Sequence, residues 1–361
     1  MKIRAFITQH KAEKVSECQD RFAVNKETKI VAVSDGVSQS IFPDLWANLL
    51  VEHYTQKGTL QESERIELCN KWRKQVQEYI EAEKSKGNNP WRTESNLAEG
   101  ISAGATLCGL RFNSGSHWVC DVLGDSCLIK YNADNSVEII SSEEKAFDTY
   151  PDFLDSNPLK KGRGDFKRIQ GELHPGDKLF LVSDPFSDYF YNLKEKSPEY
   201  LNELLALLNH EEFTKLVARW REQGMHNDDS TVIIIEWDNS EEFNLDFIDN
   251  IEILIAEEQK QNLHEEDSTV LSTGNNSSEP PKEITNVSTG TIGKEDLDRF
   301  KTYCKEQIPS FLDMFIAQEE VMRHTTFKSI LQYVFNSKRK KVNELRSLLD
   351  YALNSYVERL K

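Results

Sequence analysis

The stretch Lys29-Ile30-Val31-Ala32-Val33-Ser34-Asp35-Gly36 constrains this chain more than any other. A short, continuously apolar run rich in β-branched residues, ended by Ser-Asp-Gly, reads as a strand buried on both faces. The pattern returns later as Lys178-Leu179-Phe180-Leu181-Val182-Ser183-Asp184. An Asp at the end of such a strand is a carboxylate fixed to a rigid element and directed out of the core. Two of them suggest a shared carboxylate site. Asp-Gly is also ordinary turn chemistry, so the pair taken alone reads more readily as two strand-to-turn aspartates.

The length of 361 residues allows one large domain with an appendage, or two domains. A net charge of −17 argues against broad nucleic-acid binding and against an anionic membrane surface. No run approaches the roughly 20 apolar residues of a membrane span. Met1 to Ile7 carries charge inside its apolar run and has no cleavage-like site, so no signal peptide is expected. The six cysteines are scattered without a Cys-x-x-Cys pair, which fits the reduced thiols of a cytoplasmic protein.

Along the chain, strands are expected at Ile3–Thr8, Cys18–Val24 and Ile30–Ser34, then helices from Pro43 and over Glu62–Lys84. Gly104 to Ile140 reads as an antiparallel meander. Ser141 to Arg168 is polar and reads as a mobile surface flap. Phe166–Gly171 and Lys178–Ser183 read as a strand pair around His174-Pro175-Gly176-Asp177, followed by helices at Pro198–Leu208 and Glu211–Gln223. Thr231 to Trp237 is a strongly β-prone run preceded by Asp228-Asp229. Between Glu236 and Glu283 there are 14 Asp/Glu against two Lys, with an acidic helix expected over Phe247–Glu258. The expected division is a domain over 1–238, an acidic segment and flexible linker over 239–294, and a helical module over 295–361.

Asp20, Asp35, Asp125, Asp184, Asp188, Asp228 and Asp229 nearly all fall at a strand end or beside a strand. Clustered carboxylates cannot stay ionised together without a compensating cation. All-oxygen ligands without His or Cys point to Mg²⁺ or Mn²⁺. Two such ions a few Å apart lower the pKa of a shared water and hold a phosphate for in-line attack.

The order and wording of these motifs resemble the metal-dependent serine/threonine phosphatases of the PP2C type, in a bacterial-like branch, over about residues 1–237. The resemblance rests on Gln19-Asp20-Arg21-Phe22-Ala23-Val24, Val33-Ser34-Asp35-Gly36, Gly104-Ala105-Thr106 and Leu123-Gly124-Asp125-Ser126. Leu181-Val182-Ser183-Asp184 with Asp188, and Asp228-Asp229-Ser230-Thr231-Val232, complete it. It implies an α+β fold, a four-layer α-β-β-α sandwich, here with a C-terminal all-helical appendage. It implies phosphoserine/phosphothreonine hydrolysis by a hydroxide bridging two Mg²⁺ or Mn²⁺ ions. Asp35 then resembles the carboxylate bridging both metals, with Gly36 offering its backbone carbonyl. Asp184 and Asp228 resemble further ligands of one ion, and Asp20 the acid on the other side. Asp125 and Asp188 resemble the pair that takes a third, weaker metal. The implied partners are a phosphoprotein substrate and a cognate protein kinase, with the C-terminal helices free to bind a protein.

Three positions depart from that pattern. Val15 stands where many members grip phosphate with Arg, and Lys11 or Lys14 lacks the bidentate fork. Val37 stands where many place a His after Asp-Gly. Pro185 replaces a Gly. These departures leave a second reading, a catalytically weak or inactive adaptor that binds phosphoproteins or a kinase. His226 reads as a polar loop residue, Cys18 as a small buried one, and Lys160–Arg163 as solvated flap charge.

Overall fold

The computed structural model describes residues 1–38, 40–142 and 152–260. The chain opens with β1 (Lys2–Thr8), β2 (Arg21–Asn25) and β3 (Ile30–Ser34), then α1 (Pro43–Lys57), α2 (Glu62–Ser85) and α3 (Trp91–Ala98). Next come β4 (Gly104–Ala105), β5 (Leu107–Ser114), β6 (His117–Leu123), β7 (Cys127–Tyr131) and β8 (Val137–Ile140). They are followed by β9 (Phe153–Asp155), β10 (Gly162–Arg163), β11 (Lys167–Glu172) and β12 (Lys178–Val182). The described part ends with α4 (Asp184–Leu193), α5 (Ser197–Leu205), α6 (His210–Glu222), β13 (Ser230–Glu236), β14 (Asn244–Ile248) and a helical run over residues 251–260.

Two sheets stack face to face. One has the order β14-β1-β13-β12-β7-β8, the other β11-β6-β5-β3-β2. The apolar runs are unbroken because each strand is covered twice. Val31, Val33, Leu179, Leu181, Ile233 and Ile235 face the core between the sheets. Their alternating neighbours Phe180, Val182, Val232 and Ile234 pack on α4, α5 and α6, whereas Ile30 and Ala32 pack on α1 and α2. The result is the α+β, four-layer α-β-β-α sandwich.

Several local expectations change. The Gly104–Ile140 segment is not one meander: β5 and β6 pair in one sheet, β7 and β8 in the other, and the chain crosses between them at Gly124-Asp125-Ser126. Likewise β11 and β12 do not form a hairpin. β11 is a half-exposed edge strand on β6, whereas β12 is buried between β7 and β13. The crossing turn is held by Asp177, which accepts the N–H groups of Ala133 and His174 at 3.0 and 2.9 Å.

The described part of the expected flap is built into the molecule. β9 pairs with β10 and β4, Leu154 is buried, and the Leu154 carbonyl accepts the indole N–H of the fully buried Trp46 at 2.9 Å. The helix expected from Phe247 begins later. Asn244–Ile248 adds a parallel strand to β1, and helix starts at residue 251 once Asp249 has capped Ile7 N–H at 2.9 Å. Two helices were not expected: α3, which is short and polar, and α4. The linker beyond 260 and the helical module over 295–361 lie outside the described residues. No helix among the described residues is long and apolar enough to cross a membrane.

Candidate metal centre

The register of both sheets delivers the aspartates to one end of the sandwich. Arg21 of β2 pairs with Ser34 of β3, so Asp20 and Asp35 leave adjacent strands one residue beyond the pair. In the other sheet Val182 pairs with both Val232 and Cys127. Asp184 follows β12, Asp228 precedes β13 and Asp125 precedes β7, so these three emerge side by side.

Hydroxyl groups bind the two sheets together at this end. Thr231 Oγ1 donates across the sheets to Asp20 Oδ2 at 2.7 Å, and Ser183 Oγ accepts the Thr231 N–H at 2.9 Å. Thr106 accepts the Asp35 N–H on Oγ1 at 3.0 Å, donates its own N–H to the Asp35 carbonyl at 2.9 Å, and meets Ser126 Oγ at 2.7 Å. Ser187 Oγ donates to the Asp125 carbonyl at 2.6 Å, tying α4 to the β6–β7 turn.

Two glycines are required by close approach. A Cβ on Gly36 would lie 2.8 Å from Pro43 Cβ and 3.0 Å from the Gln19 carbonyl oxygen. Gly124 holds φ +93°, and its Cβ would lie 2.5 Å from the Asp152 carbonyl oxygen.

The electrostatics are those of crowded acids. Asp20 is fully buried and its carboxyl is pushed up to about 7, by burial first and then by Asp229, against the hydrogen bonds of Thr231 and Ser183. Asp35 and Asp184 are partly exposed, but their acidic surroundings are closed in by protein. Burial raises the Asp35 carboxyl well above its usual range, helped by Asp184, Asp20, Asp125 and Asp228. Asp184 is raised in the same direction by burial and then by Asp125, Asp228 and Asp20. Each raised value means that the ionised form lacks a counter-charge.

The structure therefore brings Asp20, Asp35, Asp125, Asp184 and Asp228 into electrostatic contact, with Gly36 beside them. Asp184 opens α4, where a carboxylate suits the helix N-terminus, and Asp188 stands one turn further on, accepting Asn192 Nδ2 at 3.1 Å. The adjacent acids at 228 and 229 divide their work. Asp229 accepts the N–H groups of His10 and Gln19 at 2.8 and 2.6 Å and so staples the loop before β2. Asp228 is half-buried, its Oδ1 accepting the Asp229 N–H at 2.9 Å.

The donors fit hard divalent cations. They are all oxygen, they carry excess negative charge, and Asp20 Oδ1 is buried without a hydrogen-bond partner among the described residues. Among the described residues no three His, Cys, Asp or Glu side chains already stand in a closed ligand set.

The departures also find places. Pro185 lies in the first turn of α4, where its missing N–H has no helical partner to lose. Val37 donates its N–H to the Gly104 carbonyl at 2.9 Å. Val15 donates its N–H to the Glu258 carboxylate at 3.1 and 3.2 Å. Lys11, Lys14 and His226 are exposed, and Cys18 is 1% exposed with its thiol pushed up by burial.

Arg221 was not foreseen. It donates to the Asp228 carbonyl at 2.6 Å and to Ser230 Oγ at 3.1 Å, fixing the backbone of that aspartate from α6. The serines were foreseeable, since Ser34, Ser126 and Ser183 each stand next to a site aspartate.

A family model described as "Protein phosphatase 2C" matches residues 8–222. No curated protein matches the chain by sequence. Among solved structures, it is similar to PppA, described as a key regulatory component of T6SS in Pseudomonas aeruginosa. That match has 16% identity and a TM-score of 0.43, over 65% of this chain and 98% of that one. The catalytic domain of the serine threonine protein phosphatase PstP in complex with 2 manganese ions matches at 14% identity and a TM-score of 0.42, over 64% and 96%. The Mycobacterium tuberculosis serine/threonine phosphatase PstP/Ppp matches at 14% identity and 0.43, over 65% and 98%.

Proposed function

The chain belongs to the protein phosphatase 2C family, and from that premise we propose that it is a metal-dependent protein serine/threonine phosphatase. The observation that carries this reading is the convergence of five aspartates from both sheets, with the carboxyls of Asp20, Asp35 and Asp184 pushed up by burial and by their acidic neighbours. Two Mg²⁺ or Mn²⁺ ions, when bound, supply the Lewis acidity that activates water and balances the charge of the phosphate.

The chain's own residues position that chemistry. Asp35 would ligate the metals, its backbone kept rigid because Thr106 holds its N–H and its carbonyl. Gly36 would add its carbonyl, and its backbone runs too close to Pro43 to carry a side chain. Asp184 and Asp228 would help to hold these ions. Asp20 would do so from the start of β2, its Oδ2 fixed by Thr231 and its buried Oδ1 without a hydrogen-bond partner among the described residues. Asp125 and Asp188 would hold a further ion. Water adds to phosphorus as the serine or threonine oxygen leaves. Val37 has no proton to give that oxygen.

A phosphoprotein is the substrate, and a protein kinase supplies it. All five described cysteines are free and buried, which supports a reducing, cytoplasmic setting. The test is hydrolysis of p-nitrophenyl phosphate and of a phosphothreonine peptide. Activity should require Mn²⁺ or Mg²⁺ and fall by about 10³ or more in Asp35→Asn and in Asp184→Asn. Activity that survives both substitutions, or a chelator, rules out this reading. A wild-type chain that binds Mn²⁺ and phosphopeptide without turnover would instead make it an adaptor.

A further inference from the structure

A groove of ≈ 550 Å³ opens beside the metal centre. It starts where Gln19 and Pro43 close over Gly36, and Gln19 directly precedes Asp20. The loop before β2 borders it on one side, and the start of α1 and α3 border it on the other. Its apolar part is Ile41, Phe42 and Pro43. Phe42 is held at φ 48°, a left-handed conformation rare for a bulky residue, and Tyr79 of α2 packs edge-on against its ring at 5.0 Å. The aromatic face is therefore fixed before any ligand arrives.

The polar lining is uneven. Glu13, Glu17 and Asp44 face a single cation, Arg92 of α3. Asp44 already pairs with Arg21 at 3.0 Å, but neither Glu13 nor Glu17 pairs with a Lys or Arg among the described residues. Glu258 sets another carboxylate against the same loop through the Val15 N–H. Glu13 has the His10 ring nitrogen at 4.0 Å, and Glu17 accepts the Lys14 backbone N–H at 2.9 Å. An apolar shelf and two carboxylates without a Lys or Arg partner among the described residues define a complementary ligand. It is a peptide segment with an apolar side chain and a nearby Lys or Arg.

We propose that this groove receives the polypeptide flanking the phosphorylated residue and selects substrates whose flank is basic. The proposal rests on the phosphatase reading for the word substrate, but not for the binding itself. Phe42 takes the apolar side chain, and Glu13 and Glu17 take the cation. Arg92 sets the direction, because a basic side chain placed against it is repelled.

The experiment compares two fluorescent phosphothreonine peptides, one with Lys/Arg flanks and one with Asp/Glu flanks, by anisotropy on the full chain. In parallel, kcat/KM is measured for both and for p-nitrophenyl phosphate, which has no flank and reads the metal centre alone. The basic peptide should bind about tenfold more tightly than the acidic one. In Glu13→Lys/Glu17→Lys that preference should vanish, and the ratio of kcat/KM on the basic peptide to that on p-nitrophenyl phosphate should fall by about as much. Arg92→Glu should move the preference the other way, which a misfolded variant would not do. Equal binding of both peptides by the wild type, or a preference untouched by either variant, overturns the groove assignment. Preferential binding without any hydrolysis leaves the groove standing and removes the phosphatase reading.

Discussion

At the scale of single residues, the site depends on contacts that no other side chain could make. Gly36→Ala drives a methyl against Pro43 Cβ at 2.8 Å and the Pro43 backbone at 2.9 Å, and the backbone cannot yield as a flexible side chain can. The expected loss is about 1–3 kcal/mol in urea unfolding, with weaker Mn²⁺ binding besides. Away from the metal centre, Asp121 is almost fully buried on β6. It accepts Tyr54 Oη at 2.8 Å, Arg111 at 3.0 Å and a bidentate pair from Arg168 at 2.6 and 3.0 Å. Burial alone would raise this carboxyl, but Arg168, Tyr54 and Arg111 outweigh it and hold it below the usual range. A depressed folded pKa stabilises the protein above the unfolded value of about 4, and that contribution is lost as pH falls through the folded value. Asp121→Asn should therefore cost about 2–3 kcal/mol at pH 7, a figure kept modest because Arg168 is half exposed, and clearly less near pH 3. Unfolding curves for both proteins at the two pH values check this; an equal difference at both would refute it.

Among the elements, α4 explains a departure that looked like a defect. The chain turns from β12 straight into a helix, so Pro185 has a structural use where a flexible Gly would have none. Pro185→Gly should lower the melting temperature, by about 0.5–1 kcal/mol in stability, and should not raise phosphatase activity. A marked gain in activity would show that Pro185 distorts the site.

The same element shows what a sequence can and cannot disclose. β3, β12 and β13 were legible because an apolar run covered on both faces has no polar interruption until the Asp or Ser that ends or begins it. α4 was hidden by its short length, although Phe186, Tyr189 and Phe190 form a buried stripe. α3 lacked even that stripe. β14 was not legible, and the expected helix ran into its last two residues, because acidic residues mask the Leu245 and Phe247 alternation and only the pairing with β1 makes it a strand. Sheet membership was not legible at all. The turns at 124–126 and 174–177 look like hairpin turns, but they carry the chain between sheets.

For the whole molecule, the fold acts as a device for concentrating negative charge. Each aspartate is unremarkable where it stands in the sequence, and only the stacking of two sheets with matched register puts Asp20 and Asp35 against Asp125, Asp184 and Asp228. This is why the type and order of the acids could be read from the chain, whereas the roles of Asp229, Thr231 and Arg221 could not. Those residues act across separations that sequence spacing does not report. The stacked sheets hold the acids in place at the expense of their own ionisation, a conflict that bound divalent ions would remove. Titration calorimetry of the metal-free chain with Mn²⁺ tests this most directly. The account predicts about two ions bound per chain by the wild type, and loss of that binding in Asp35→Asn. No heat of binding at millimolar Mn²⁺, or an unchanged isotherm in Asp35→Asn, would contradict it.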